Sequence, residues 1–107
     1  MLNDPTVLEA SRVLAQKLEL EKTTDQDKIN KAFRLIICRR ANEKELGIIQ
    51  SYYEDQLQQF KQSKLNAGIT LNVGEYKQVT TPDVNITAAL MKTIEMIYNL
   101  EEAIEKT

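Results

Sequence analysis

Carboxylates are the most numerous groups in this chain that could do chemistry, 16 Asp and Glu residues against 14 Lys and Arg. Glu43, Glu45, Glu54 and Asp55 lie close in sequence, and paired carboxylates serve as general acid and base when a cleft separates their pKa values. Helical spacing instead spreads these four over solvated faces, where charge serves solubility. Hard cations such as calcium accept carboxylate oxygens, yet no calcium-loop spacing occurs. The chain has no histidine. Ser-His and Cys-His nucleophile pairs, histidine-based zinc sites and haem attachment through Cys-x-x-Cys-His are therefore excluded within it. We expect no catalytic residue, no metal and no cofactor.

Cys38 is the single thiol, so it cannot form an internal disulfide. Beside Ile36 and Ile37 it reads as a buried small residue, although Arg39 and Arg40 are the kind of neighbours that activate a thiol by depressing its pKa. The same two arginines sit at a short turn between helices, the layout of a helix-turn-helix reader. The helix that follows opens with Glu43 and Glu45, the wrong charge for phosphates, and the net charge is −2 without a basic stripe. Nucleic acid is thus not the expected partner. Arginines at a helix C-terminus offset its negative dipole end and hold carbonyls or Glu45.

Tyr52 and Tyr53 point about 100° apart on a helix, so one joins the core and the other shows its ring. Tyr76 and Tyr98 add amphipathic surface of the kind favoured at interfaces, or else form peripheral core with the hydroxyl in water. Tyr52 and Tyr76 are the candidate interface residues.

These groups need elements to position them. The chain has 107 residues, 12.3 kDa, with 42% apolar and 28% charged residues, enough for one modest core and one domain. The apolar period is close to 3.6 almost throughout. A first helix from about Pro5 to Leu20, capped by Asp4, lines up Val7, Ala10, Leu14 and Leu18, with Lys17 and Glu21 able to pair outside. A second follows Thr23-Thr24-Asp25 and runs through Cys38 on Ile29, Phe33, Ile36 and Ile37. A third begins at Asn42 with Glu45 completing a capping box and carries Leu46, Ile49, Tyr53, Leu57 and Phe60. Gly47 near its start would allow close packing. Between Gln62 and Asp83 the pattern loosens around Gly68, Gly74 and Pro82, with a short helix over Leu65, Ile69, Leu71 and Val73. The last helix begins near Asp83 or Asn85 and aligns Ile86, Leu90, Ile94, Ile97 and Ile104, with Glu102 and Lys106 able to pair. The expected fold is all-α, a compact bundle of about four main helices with a short extra helix and a loose connection before the last.

Met1 is followed by Leu2-Asn3-Asp4-Pro5, not by a basic stretch and an apolar run, and nothing approaches the ~20 apolar residues of a membrane helix. The reading is a cytosolic chain or a piece of a longer one.

Taken in order, Asn3 to Ala15, then Ala32-Phe33-Arg34-Leu35 through Arg39 and Glu45-Leu46, then Asn99-Leu100-Glu101-Glu102 resemble, over nearly all of the chain, the C-terminal part of the planctomycete-type secreted-protein family catalogued as domain of unknown function fifteen-fifty-three. Its pattern of aromatic-Arg-Leu, Gly-Arg-x-Pro and Glu-Leu falls on Phe33-Arg34-Leu35, Cys38-Arg39-Arg40-Ala41 and Glu45-Leu46, with Cys38 and Ala41 in place of Gly and Pro. In the turn so defined, Arg39 is placed to bridge to Glu45. The resemblance implies a large exported parent, often with a cytochrome-c-like domain that would hold any electron-transfer chemistry, an extracytoplasmic location, and a helical end module packed on upstream domains. We therefore expect a non-catalytic structural or protein-interaction module with an exposed apolar patch. One alternative is an accessory domain of an extracytoplasmic enzyme, with a carbohydrate or other substrate cleft lined by Tyr52, Tyr76 and carboxylates; another is weak nucleic-acid binding through Arg39 and Arg40.

Overall fold

The computed structural model describes the backbone of residues 4–105 and the side chains of residues 4–100. Among these are the helices α1 (Pro5–Glu19), α2 (Asp25–Ile37), α3 (Glu43–Lys61), α4 (Ala67–Leu71) and α5 (Val84–Glu105), and no strand. The fold is all-α. No helix among the described residues is long and apolar enough to cross a membrane.

Short polar side chains start each helix by accepting its free N–H groups. Asp4 takes the Thr6 N–H at 2.7 Å, Thr24 that of Asp27 at 3.1 Å, Asn42 that of Glu45 at 2.8 Å and Asn66 that of Ile69 at 3.0 Å. Asp83 takes those of Asn85 and Ile86, one residue after Pro82 has broken the preceding chain.

α5 is the axis on which α1, α2, α3 and α4 all pack. Its run Thr87-Ala88-Ala89-Leu90-Met91 is buried at every position, which covers the whole circumference of a helix. The one-sided stripe read from the sequence is too narrow. Leu90, Ile94 and Ile97 are buried and Ile86 is half-buried, whereas the side chain of Ile104 and the Glu102–Lys106 pair lie outside the described residues. Small side chains let the surrounding helices approach, and the buried threonines are satisfied by carbonyls four residues earlier: Thr87 donates to the Asp83 carbonyl at 3.0 Å and Thr93 to that of Ala89 at 2.8 Å.

α2 and α3 present the expected faces, with Ile29, Phe33, Ile36, Ile49, Tyr53 and Phe60 buried. α1 does not. Its buried positions are Ser11, Arg12, Ala15, Gln16, Leu18 and Glu19, while Val7, Ala10 and Leu14 are only half-buried. The helix is rotated because polar side chains at 9, 12 and 16 turn inward to grip another segment. Glu21 pairs with Lys31, Nζ to Oε1 2.6 Å, rather than with Lys17. Gly47 lies against open space, with no atom within 4 Å of an added Cβ, so it does not serve close packing. In α4, Leu71 is buried and Ile69 is 73% exposed.

Candidate functional site

The corner between α2 and α3 is built around one backbone reversal. Cys38 ends α2 in the left-handed region, φ 66° and ψ 24°, and its N–H bonds the Arg34 carbonyl at 3.0 Å. This conformation turns the chain out of the helix path and leaves Cys38 exposed. The buried position expected for it extends the stripe of Ile36 and Ile37 one residue past the point where the helix stops.

Beyond the reversal, the structure brings Arg39 and Glu45 together in a two-pronged pair, Nη1 to Oε1 2.8 Å and Nη2 to Oε2 2.7 Å. Nη1 also donates to the Arg40 carbonyl, and the guanidinium lies over the Phe33 ring at 5.3 Å. The same Glu45 carboxylate accepts the Asn42 N–H at 3.0 Å, which closes the capping box at the start of α3. One side chain therefore fixes both the arginine and the helix start. The Arg39 bond, and after it the Asn42 bond, hold the Glu45 carboxyl down at about 2, and the pairing pushes Arg39 up.

On the outer side of this corner lies an open depression of about 740 Å³, lined chiefly by Lys31, Arg34, Leu35, Cys38, Arg39 and Arg40. Among the described residues, Asp27 is the single carboxylate in its wall. Leu35, an aliphatic side chain 57% exposed, is set among these cations. Lys31 and Arg39 are engaged by Glu21 and Glu45, whereas Arg34 and Arg40 are exposed and have no carboxylate partner among the described residues. Among the described residues, the depression thus offers two unpaired guanidinium groups and one apolar contact.

A second, shallower groove of about 410 Å³ runs along α1, with Ala10, Val13 and Leu14 between Tyr76 and Tyr98. Tyr76 is held there by the irregular segment after α4, which α1 grips from within. Arg12 is fully buried and uses all five of its N–H donors. Nη2 bonds the carbonyls of Tyr76 at 2.6 Å and Val73 at 3.1 Å, Nη1 bonds that of Lys77 and the Gln16 side chain at 3.1 Å each, and Nε bonds Val73 at 3.3 Å. Glu9 accepts the Tyr76 N–H, and Gln16 bonds Gln78, which reaches the Leu71 carbonyl. Gly74 takes φ 77°, and the space where its Cβ would stand is filled by the Glu9 side chain.

The remaining candidates lie apart from these surfaces. Tyr52 is half-buried on α3 and does not line the groove that holds Tyr76; burial, then Glu95 and Asp55, push its hydroxyl up. Tyr53 is buried and donates to Asp25 Oδ2 at 2.9 Å. Two acids are pushed up by burial against nearby lysines, Glu19 with Lys28 at 3.9 Å and Glu95 with Lys92 at 3.7 Å. Glu43, Glu54 and Asp55 are exposed, with Glu54 and Asp55 accepting from Gln50 and Gln59 one turn away. No group of three or more potential metal ligands occurs among the described residues.

Sequence reasoning gave no site role to Glu9, Arg12, Gln16, Arg34 or Leu35. The first three do carry a signal, since polar residues at i, i+3 and i+7 share one helical face. Leu35 belongs to the apolar run of α2 by residue type and leaves it only by its angle on the helix.

This is a small helical module with a corner fixed by an Arg–Glu pair and a cation-rimmed depression beside it. Residues 1–53 match the model of the family described as protein of unknown function (DUF1553). The match contains α1, α2 and the Arg39–Glu45 corner; residues 54–107, including Asn99-Leu100-Glu101-Glu102, lie outside it, so it is narrower than the whole-chain resemblance read from the motifs. No curated protein and no solved structure matches the chain.

Proposed function

We propose that this chain is a non-catalytic helical module that docks on another protein surface through the end of α2. The observation that carries this reading is Leu35, 57% exposed on a helix whose other apolar residues turn inward, beside a depression of about 740 Å³. An aliphatic side chain bordered by guanidinium groups is a surface that gains from being covered, because burial removes apolar area from water while the arginines find partners at the rim. The corner is pre-set by Arg39 and Glu45, which limits the ordering cost of docking.

The resemblance to the exported family supports a longer parent outside the cytoplasm, with its upstream domains as the partner. An accessory substrate site receives no comparable support, since it requires Tyr52 and Tyr76 to share a cleft. Amide hydrogen exchange of this chain alone, compared with the same residues in the longer parent, tests the reading. Added protection over residues 31–40 is the expected result. Equal exchange there would remove the docking surface.

A further inference from the structure

We propose that the depression at the end of α2 receives an acidic peptide segment, with an aliphatic side chain of the partner seated on Leu35 and flanking carboxylates on Arg34 and Arg40. This rests on the docking reading above and names the chemistry of the partner.

Three observations converge on that chemistry. Among the described residues, the wall carries four cationic side chains and one carboxylate, Asp27, in a chain whose net charge is −2, so the local excess is a property of this surface and not of the composition. Two of the four cations, Lys31 and Arg39, are occupied by Glu21 and Glu45. Arg34 and Arg40 are the ones left to bind, and a planar guanidinium matches a carboxylate through two parallel hydrogen bonds. Finally, Leu35 gives the surface an apolar contact that a bare anion cannot use.

The alternatives fit less well. A small inorganic anion would sit near the carbonyl end of α2, where the helix dipole is negative, and would leave Leu35 uncovered. Duplex nucleic acid would bring its phosphates against Asp27 in the wall and Glu43 at the exposed start of α3. An acidic segment meets the same Asp27 carboxylate, but its aliphatic side chain also covers Leu35, which neither alternative does.

The test uses the full 107-residue chain and a fluorescently labelled pool of synthetic peptides with Leu or Ile at the centre and Asp or Glu on both sides. Anisotropy at low ionic strength is compared with that of three other ligands: the same pool with Asn and Gln replacing the acids, the acidic pool with Ser at the centre, and a short DNA duplex. The acidic-aliphatic pool is expected to bind at least about tenfold more tightly than either altered pool, and more weakly as salt is raised. Arg34→Glu combined with Arg40→Glu should remove that preference, as should Leu35→Ser by itself. Since these side chains are exposed, the thermal transition of each variant should stay close to that of the parent chain and exclude unfolding as the cause. Equal binding of the amide pool, equal or tighter binding of DNA, or an unchanged preference in the double variant would each overturn the acidic partner. Hydrogen exchange separates this failure from failure of the docking reading. Protection of residues 31–40 in the longer parent, without peptide preference, would discard only the acidic chemistry.

Discussion

Arg12 and Arg39 each tie down a turn of this chain, and they do it by opposite means. Arg12 is removed from water and spends its five donors on three backbone carbonyls and one amide side chain. Arg39 stays at the surface and holds one carboxylate, Glu45, with the Phe33 ring beneath it. The first partner set is chiefly backbone, and a carbonyl belongs to every residue; only Gln16, and Glu9 at 4.0 Å, are particular side chains. The second is a specific pair six positions apart. The contrast separates a buried strut, whose loss leaves orphaned groups behind, from an exposed clasp, whose loss returns both partners to solvent.

Arg12 therefore gives the largest expected effect. Arg12→Ala leaves the carbonyls of Val73, Tyr76 and Lys77 without their donors and opens a cavity under the segment, so urea denaturation should show a loss of about 3 kcal/mol or more. Arg12→Lys keeps the charge but not the fork, and should recover only part of it. A loss under about 1 kcal/mol for the alanine variant would mean that water replaces the strut at little cost, and the comparison with Arg39 would collapse.

Gly74 comes next because it lies inside the gripped segment. An alanine there must hold φ 77° and also displace the Glu9 side chain, which would cost its bond to the Tyr76 N–H. We expect a loss of about 1–3 kcal/mol. The double variant Glu9→Ala, Gly74→Ala removes the clash but keeps the backbone strain, so a cycle over the two positions should show clear coupling. Simple additivity would argue that Glu9 moves aside freely.

What could be read in advance follows the same division. The helix starts at Asp4, Thr24 and Asn42 were legible because a cap is a local bond between near neighbours, and so was the Asn42–Glu45 box. Ile29, Phe33, Ile49 and Tyr53 were legible because apolar side chains at helical spacing have one place to go. Arg12 was not. Reading polarity as exposure put Val7, Ala10 and Leu14 on the inner face and rotated α1 away from its true orientation. The all-round burial of α5 was missed for a related reason, since Thr87, Ala88, Ala89 and Thr93 carry little apolar weight although small side chains suit a central helix. At the corner, the Arg39 and Glu45 pair could be anticipated as neighbours across a turn, but the cation-rimmed depression needed the angle at which Leu35 and Arg34 leave α2.

The exposed clasp has a smaller effect that pH can isolate. Glu45 titrates at about 2 in the folded chain, below the ordinary 4.5. Its charged form thus stabilises the fold above about pH 4.5, and that contribution is lost as pH falls toward 2. Burial raises Glu19 and Glu95, so their contribution has the opposite sign: it is present at acid pH and lost as pH rises through the raised values. Glu45→Gln should lower the melting temperature at pH 7 and flatten its fall between pH 4.5 and 2. Glu95→Gln should raise the melting temperature at pH 7 relative to pH 4. A parallel acid limb in Glu45→Gln and the parent would show that the pair is fully solvated and contributes nothing.

The smallest effects concern two backbone positions, Cys38 at the turn and Gly47 within α3. Cys38 holds φ 66° with a side chain, and Gly47 occupies an exposed helical position with open space around it. Cys38→Gly relieves left-handed strain of about 1–2 kcal/mol, but it also frees the unfolded chain by about 0.4–1 kcal/mol. The net gain should be about 0.5–1 kcal/mol. Cys38→Ala keeps the Cβ and should gain nothing, which separates backbone strain from loss of the thiol. Gly47→Ala gains about 0.5–1 kcal/mol through helix propensity alone. If the docking surface depends on a pre-set corner, the two stabilised variants should bind the acidic pool at least as tightly as the parent chain. A stabilised corner that binds more weakly would instead show that docking needs the turn at Cys38 to move.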